Sequence, residues 1–257
     1  MGFLSDLVSR RRAELEERPL DDESLRVAAA SAPPAKDFEA ALRGPGVALI
    51  AEVKRSSPSA GAIAETEPEE RARTYTRGGA AAISVLTETE HFSGSMDDLR
   101  AARAATDLPL LRKDFLIAPA QLAEARAAGA DAVLVIAAAV TDDELAALLQ
   151  TAKELELSAL VEAHGEDDLE RALTAGAPIV GINARDLETL DVDEDRALRL
   201  LEGVPRDRAR VFESGIAMRA QVQRAVDAGA DAVLVGEHLM RSADPAAAIA
   251  ELRGTRS

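Results

Sequence analysis

The chain has 257 residues, carries a formal net charge of −16 at pH 7 and contains no cysteine. This length is enough for a sizeable buried core, and the absence of cysteine excludes disulfides and thiolate metal sites. The negative charge argues against a nucleic-acid partner, because binding nucleic acid requires a concentrated basic surface.

The first 45 residues are predicted to form helices that precede the main fold. Leu4, Leu7 and Val8 fall on one face of an amphipathic helix. The segment lacks the continuous apolar run of a signal peptide, and later apolar runs are short and end in charge, so no membrane span is predicted. We therefore expect a cytoplasmic protein that does not associate with membranes.

An eight-residue phrase, AGADAVLV, occurs at 128–135 and again at 228–235. Related phrases, GGAAAISV and AGAPIVGI, lie at 78–85 and 175–182. Each phrase is typical of the end of a helix, a glycine turn and then a buried strand.

Four further apolar runs lie between these phrases and bring the predicted strands to eight. These runs are VALIAEVK at 47–54, PLLRKDF at 109–115, SALVEAH at 158–164 and ARVFESGI at 209–216. Helical patterns separate the strands. In TDDELAALLQTAKEL at 141–155, for example, Thr141 is placed as the N-cap and Glu144 at the capping-box position.

Eight strands that alternate with helices predict a TIM (β/α)8 barrel with extra N-terminal helices. The alternative, a doubly wound open sheet, normally has fewer strands and a glycine-rich fingerprint after the first one, and KRSSPSAG is not that fingerprint. We predict one domain over 1–257, with a helical extension at 1–45 and the barrel at 46–257.

Polar residues end most of the predicted strands, and in a TIM barrel these ends meet at the rim that carries the active site. Residues two apart on a strand share a face. The strand-end residues are Glu52 and Lys54 on the first strand, Lys113 and Phe115 on the third, Glu162 on the fifth, Asn183 and Arg185 on the sixth, and Glu213 and Gly215 on the seventh. A single buried ion pair is commonly structural, but this many convergent charges indicate an active site.

Lysine is rare in this chain, since Lys36, Lys54, Lys113 and Lys153 are four of its 30 cationic residues. A lysine retained among arginines can mark a position that needs a compact ammonium with an adjustable pKa. Chance retention is an equally good explanation for any one of them.

The loops after the seventh and eighth strands are expected to bind a phosphate group. ESGI at 213–216 leads into a helix expected to begin near Ala217, and VGEHLM at 235–240 leads into a short helical turn. Glycine lets backbone N–H groups approach an oxyanion, and a helix N-terminus favours negative charge. These two loops are the usual phosphate site of a TIM barrel.

Together these motifs resemble the indole-3-glycerol phosphate synthase family of tryptophan biosynthesis. The matching segments, in order from about residue 45 to 241, are AEVKRSSPSAG, ISVLTE, HFSGS, LLRKDF, LVEAH, GINARDLETL, ESGI and VGEHLMR. The resemblance implies conversion of 1-(2-carboxyphenylamino)-1-deoxyribulose 5-phosphate to indole-3-glycerol phosphate, CO2 and water. In that reaction an aromatic carbon attacks a carbonyl, and decarboxylation and dehydration follow. The resemblance implies no cofactor and a small-molecule substrate.

The resemblance also implies roles for the strand-end residues. Lys113 would protonate the carbonyl oxygen as charge develops there. Lys54 would hold the substrate carboxylate or act as the acid in the dehydration. Glu162 would transfer a proton in the dehydration. Glu52 would be its partner or a competing base, or would only fix Lys54 through a salt bridge.

Further residues are expected to bind the substrate. Glu213 and Asn183 would orient the substrate or the lysines, and Arg185 would neutralise substrate charge. The residues expected to face the anthranilate ring are Phe92, Phe115 and Leu187, with core packing as the alternative for the two phenylalanines. The residues expected to hold the phosphate are Ser57, Ser214, Gly215, Gly236 and, through its backbone amide, Glu237.

Three positions depart from the family pattern. Ala60 and His238 stand where a lysine and a serine are common in the family, so we expect rearranged phosphate contacts. Ala184 stands where a polar residue is commoner. His91, His164 and His238 show no metal-ligand spacing with carboxylates. We therefore predict no metal site and place the histidines in loops or at the rim.

Other functions remain open at this point. A sugar-phosphate isomerase barrel would use paired aspartates or a Cys–Asp couple, whereas this chain has EVK on its first strand and no cysteine. A lysine-dependent aldolase would form a Schiff base with its substrate. A non-catalytic phosphate-ligand binding module would tolerate loss of the rim carboxylates. We expect this chain to be a monomer or a weak homo-oligomer.

Overall fold

Eight parallel strands close into a barrel in the computed structural model, which describes residues 2–64 and 66–254. The strands are β1 (Ala48–Val53), β2 (Ala82–Leu86), β3 (Leu110–Lys113), β4 (Ala132–Ile136), β5 (Ser158–Ala163), β6 (Ile179–Asn183), β7 (Ala209–Glu213) and β8 (Ala232–Val235). They pair in chain order, and β1 pairs with both β2 and β8, which closes the sheet. The predicted TIM (β/α)8 barrel is confirmed, and each strand overlaps its predicted run to within one residue at its carboxyl-terminal end.

Helices precede the barrel and connect its strands. The N-terminal helices are α1 (Phe3–Glu17), α2 (Asp22–Ser31) and α3 (Phe38–Leu42). The later helices are α4 (Pro68–Arg77), α5 (Met96–Ala105), α6 (Pro119–Ala127), α7 (Asp142–Glu154), α8 (Glu166–Thr174), α9 (Glu194–Glu202), α10 (Arg219–Asp227), α11 (Glu237–Arg241) and α12 (Pro245–Arg253). A two-stranded hairpin, Ser56–Ser57 with Gly61–Ala62, follows β1. Among the helices of the described residues, none combines the length and apolar character needed to cross a bilayer.

Two expectations about helix starts can be compared with the structure. The capping box of α7 is present, because Thr141 and Glu144 each accept a backbone N–H from the other. Helix α10 begins at Arg219 rather than near Ala217. The side chain of Gln221 accepts the backbone N–H of Ala217, which keeps that residue in the loop ahead of the helix.

The repeated phrase AGADAVLV performs one structural task twice. Gly129 and Gly229 have φ of +92° and +102°, the left-handed conformation that ends a helix and favours glycine. Asp131 follows the first turn and accepts the backbone N–H of Leu110 at 2.8 Å. Asp231 makes the equivalent bond to the start of β7 at 2.9 Å. Both copies therefore fasten the amino-terminal end of the barrel, opposite the predicted site.

Helix α1 lies against the carboxyl-terminal end of the barrel, with Leu4 and Leu7 buried. Three consecutive arginines of α1 pair with carboxylates after β2, β3 and β4. The pairs are Arg10 with Glu90, Arg11 with Asp114 at 3.1 Å, and Arg12 with Glu144 at 2.7 Å. The N-terminal extension thus contacts three neighbouring βα connections at the end where the site residues were predicted.

Candidate active site

A cavity of about 400 Å³ opens at the carboxyl-terminal end of the barrel. Its lining includes every residue predicted for the site: Glu52, Lys54, Ser57, Phe92, Lys113, Phe115, Glu162, Asn183, Arg185, Leu187, Glu213, Ser214, Gly215, Gly236 and Glu237. Because these residues come from five strands and from the loops after six strands, β2 and β8 among them, only the closed barrel brings them together.

Lys113 lies at the centre of the charged groups. Its Nζ donates to Glu162 Oε2 at 3.0 Å and to Glu213 Oε2 at 3.0 Å. Residues on alternate strands form one layer inside a TIM barrel, and these three come from β3, β5 and β7. The Lys113 side chain is 16% exposed and both carboxylates are 1% exposed. The Lys113 ammonium therefore faces the cavity and contacts two buried carboxylates.

These three groups shift one another's pKa. Burial lowers the pKa of Lys113, but the carboxylates of Glu162, Glu213 and Glu52 outweigh burial and raise it. Burial raises the pKa of Glu162, but Lys113 and His164 outweigh burial and lower it. Burial raises the pKa of Glu213, and repulsion from Glu162 raises it further. The attraction of Lys113 lowers this pKa but does not cancel the rise. The site therefore holds an ammonium, an ionised Glu162 and a Glu213 that ionises with difficulty.

Lys54 and Glu52 form a second ion pair, with 2.8 Å between Nζ and Oε1. Glycine makes room for the buried carboxylates on both sides of the barrel. A Cβ on Gly236 would lie 2.2 Å from Glu52 Oε1, and one on Gly181 would lie 2.4 Å from Glu213 Oε1. Since Cβ atoms do not approach oxygens so closely, these glycines permit the positions of the two acids.

The loops after β7 and β8, expected to bind a phosphate group, both line the cavity. Ser214 and Gly215 have φ of +72° and +77°, and left-handed residues in succession are unusual outside functional sites. Gly236 directly precedes α11. Ser57 belongs to the hairpin after β1, where its Oγ accepts the backbone N–H of Ala60 at 3.2 Å. Ser57 and both loops line the same cavity.

Aromatic rings form another part of the cavity wall. The ring centroids of Phe92 and Phe115 lie 6.3 Å apart with 40° between the ring planes. Leu187 reaches the cavity from the loop after β6. Phe3 of α1 also lines the cavity, and its ring lies 5.1 Å from that of His91. Phe3 was not predicted for the site, because no local pattern places the N-terminal helix over the barrel.

The loop after β6 fixes the position of Arg185. The side-chain oxygen of Asn183 accepts the backbone N–H of Arg185 at 2.9 Å, and the Arg185 guanidinium donates to the Leu190 carbonyl at 2.7 Å. Ala184, between them, is fully buried and does not line the cavity, so the loss of a polar side chain there leaves the cavity surface unchanged. Of the other two departures from the family pattern, His238 lines the cavity and Ala60 does not.

Two charged groups beside Lys113 were not predicted. Arg112 on β3 and Asp114, directly after β3, flank Lys113, and their side chains therefore point away from the barrel interior. They pair with each other at 3.1 Å, and Asp114 also accepts from Thr87 and Arg11. Their alternation with a strand-end lysine was visible in the sequence, but their burial beneath α1 and α6 was not.

The three histidines lie in loops and helices at this end of the barrel. His91 contacts Arg10 of α1, and His238 is in α11. His164 directly follows β5, with Nε2 3.2 Å from Glu162 Oε1. Its spacing of two residues from Glu162 was the available signal for this contact. Within residues 2–64 and 66–254, no three His, Cys, Asp or Glu side chains are arranged to hold a metal ion.

The sequence is similar to known proteins over nearly its whole length. The sequence profile of a family described as "Indole-3-glycerol phosphate synthase" matches residues 4–252. An indole-3-glycerol phosphate synthase of Mycobacterium ulcerans is 52% identical over 229 residues, covering 89% of this chain and 84% of that protein. One of Rhodococcus jostii is 48% identical over 255 residues, covering 98% and 95%.

Among solved structures, a mutant tryptophan synthase alpha-subunit from Pyrococcus furiosus is similar in fold, with a TM-score of 0.63 and 16% identity. That similarity covers 80% of this chain and 98% of the other, and it concerns the barrel alone. The profile match and the two close relatives concern the sequence of nearly the whole chain. The chain belongs to the indole-3-glycerol phosphate synthase family.

Proposed function

We propose that this chain converts 1-(2-carboxyphenylamino)-1-deoxyribulose 5-phosphate to indole-3-glycerol phosphate, CO2 and water. The observation that carries the proposal is the Lys113 ammonium, held 3.0 Å from both Glu162 and Glu213 inside a cavity with aromatic walls. Ring closure needs a proton donor at a carbonyl oxygen, and dehydration needs both a donor and an acceptor. The cavity supplies ammonium donors and carboxylate acceptors within one layer of the barrel.

Lys113 acts in the first step. As the aromatic carbon attacks the carbonyl, negative charge develops on its oxygen, and a proton moves from Lys113 Nζ to that oxygen to form a hydroxyl. The raised pKa keeps Lys113 protonated in the free enzyme, so the proton donor is present before the substrate binds. The electron pair of the bond to the carboxylate then returns to the ring as CO2 leaves.

Glu162 acts in the dehydration, in which the hydroxyl leaves as water and the neighbouring carbon loses a proton. Its lowered pKa means that Glu162 is ionised and can accept that proton at neutral pH. Lys54 either holds the substrate carboxylate until CO2 is released or protonates the leaving hydroxyl. Its 2.8 Å pair with Glu52 is compatible with both roles, and Glu52 either fixes Lys54 or shares in proton transfer.

Other cavity residues bind and orient the substrate. Phe92, Phe115 and Leu187 face the anthranilate ring. Arg185 neutralises substrate charge, and the Asn183 side chain holds the backbone of Arg185 in place. Glu213 orients Lys113. The phosphate lies against the backbone N–H groups of the loops after β7 and β8, with Ser57 opposite.

The test is the appearance of indole fluorescence when the proposed substrate is added to wild type and to Lys113→Ala. We expect turnover in wild type and a loss of about 10²–10⁴-fold in the variant, the usual contribution of general acid catalysis. The matched control is Lys153→Ala, since Lys153 is exposed on α7, and this variant should be as active as wild type.

Two outcomes would contradict the proposal. If wild type forms no indole product, the proposed activity is wrong, and if Lys113→Ala is as fast as wild type, the role of Lys113 is wrong. Borohydride added during turnover should trap no covalent adduct on a lysine. A trapped adduct would instead favour a Schiff-base aldolase.

A further inference from the structure

The two carboxylate oxygens of Glu162 have different partners. Oε2 accepts from Lys113 Nζ at 3.0 Å, and Oε1 lies 3.2 Å from Nε2 of His164. Lys113 faces the cavity, whereas His164 directly follows β5 beside Glu162. The carboxylate is therefore held between a group that meets the substrate and one placed behind it.

Asp168 extends this arrangement away from the cavity. Its Oδ2 accepts the backbone N–H of His164 at 3.0 Å and lies 3.9 Å from Nδ1 of the ring. Asp168 is in the first turn of α8. A row of alternating charge results, with Lys113, Glu162, His164 and Asp168 in order from the cavity to the helix.

The His164 ring is shielded from solvent but is not satisfied by directed hydrogen bonds. The side chain is 12% exposed, and both ring nitrogens are buried without an aligned partner in the described residues. Leaving buried polar atoms in this state is costly, so such atoms in a protein call for an explanation. A ring protonated on both nitrogens would find a carboxylate on each side.

We propose that His164 is a positioning residue that, in its protonated form, holds the Glu162 carboxylate in place and ionised while Lys113 acts on the substrate. This inference rests on the proposed function. When Lys113 gives its proton to the carbonyl oxygen, Glu162 loses its cationic partner in a buried place. An unpaired buried carboxylate is costly, and it would take up a proton before the dehydration needs it as a base. The His164 cation, 3.2 Å from the other carboxylate oxygen, leaves Glu162 with a positive partner after Lys113 has given up its proton.

The ionisable groups around His164 favour its cationic form. They are Glu162 on β5, Asp168 on α8, Glu213 on β7 and Asp186 in the loop after β6, with Lys113 on β3 beyond Glu162. Burial lowers the pKa of His164, but Glu162, Asp168 and Glu213 outweigh burial and raise it. His164 is thus charged at pH values below its raised pKa and loses the charge as pH rises through it.

The first test is the pH dependence of kcat in His164→Gln, which keeps a side-chain donor and loses the charge. Without the neighbouring cation the pKa of Glu162 rises, so we expect the acid limb of the profile to move up by about one pH unit, with KM little changed. Asp168→Asn should leave this limb nearly in place, because His164 stays protonated at acid pH, and should instead lower the pH at which His164 loses its charge. A uniform loss of kcat with an unmoved limb would mean that His164 is merely structural.

The second test needs neither turnover nor a stable His164 variant. The chain has three histidines, so its imidazole Cε1–H NMR signals can be assigned with His91→Asn and His238→Asn and then followed through a pH titration. We expect the His164 midpoint to lie above the ordinary histidine value and to fall in Glu162→Gln. An unchanged midpoint in Glu162→Gln would overturn the inference, whereas an inactive wild type with the expected midpoints would count only against the proposed function.

Discussion

Lys113 and Glu213 lie one hundred residues apart in the chain, and their side chains meet at 3.0 Å across the interior of the barrel. The two copies of AGADAVLV are separated by the same distance in sequence. Both intervals span four βα units, which is half of an eight-unit barrel. The repeat fastens one end of the barrel, and the ion pair bridges opposite strands at the other.

Glu162→Gln tests the assignment of Glu162 as the base of the dehydration. Glutamine keeps the shape and can still contact Lys113, but it cannot take up a proton. We expect kcat to fall by about 10²-fold or more and KM to change little, as measured by steady-state indole fluorescence. If KM rises while kcat is preserved, Glu162 binds the substrate and does not transfer a proton.

Glu213→Gln tests the raised pKa of Glu213 through stability. Burial raises that pKa, so the folded protein keeps a proton that the unfolded chain releases at lower pH. The free energy of unfolding of wild type therefore falls as pH rises from the ordinary glutamate pKa, about 4.3, to the raised folded value. Glutamine has no such proton to lose, so we expect the variant to gain stability relative to wild type across this window.

The measurement for Glu213→Gln is urea denaturation in steps from about pH 5 to about pH 8. Glu202→Gln is the matched control, because Glu202 is exposed at the end of α9 and should show no such trend. A stability difference between Glu213→Gln and wild type that shrinks with rising pH would contradict the raised pKa.

Gly181→Ala tests whether room for Glu213 is needed. The new methyl group would lie 2.4 Å from Glu213 Oε1, so the carboxylate must move away from its place beside Lys113. We expect a lower kcat and a stability loss of about 1–3 kcal/mol. Gly44→Ala is the control, since a Cβ there meets nothing within 4 Å. Full activity in Gly181→Ala would show that the position of Glu213 is not critical.

The fold and most of the candidate site followed from local sequence patterns. A parallel strand buried on both faces gives a short apolar run, and the polar residues that end such a run mark the rim. Lys113 and Glu162 were found in this way, and the cavity includes both. Their roles remain predictions, because the pattern gives position and residue type but not the chemistry performed.

The features that were missed depend on tertiary packing. Phe3 reaches the cavity because α1 is bound to the rim by charge pairs far apart in sequence, and no local periodicity encodes that placement. Asp114 points away from the barrel interior, and the sequence alone does not show whether a helix covers that side of the strand. His164 was in register with Glu162, but a histidine at a strand end is too common to indicate a contact by itself.

Asp114→Asn tests the buried network that joins α1 to the barrel. Burial raises the pKa of Asp114, but Arg112 and Arg11 outweigh burial and lower it. A lowered pKa stabilises the fold above the unfolded pKa of aspartate, and this stabilisation is lost as pH falls through the folded value. We expect Asp114→Asn to cost about 2 kcal/mol near neutral pH, because it removes one of the two carboxylates that pair with the buried Arg112, which keeps Glu124, and to approach wild type in acid.

The measurement for Asp114→Asn is denaturant unfolding, with Arg10→Ala as the control. The Arg10–Glu90 pair joins the same helix to the same rim, but both side chains are about half exposed, so we expect little change in stability. Equal effects of the two substitutions would show that burial of the Asp114 network is not what stabilises the N-terminal extension.

Gly215→Ala tests the phosphate site after β7. Gly215 has φ +77°, and an added Cβ would lie 2.9 Å from Val192 Cγ1, so alanine strains the loop that we propose binds the phosphate. We expect KM and the inhibition constant of inorganic phosphate to rise by about tenfold, the worth of one hydrogen bond to a charged group, with a smaller change in kcat. Gly176→Ala is the matched control. Gly176 has φ +79°, so alanine there has the same unfavourable backbone conformation, but an added Cβ meets nothing within 4 Å and the residue does not line the cavity. If both variants raise KM equally, the effect comes from backbone strain, and the loop after β7 is not where the phosphate binds.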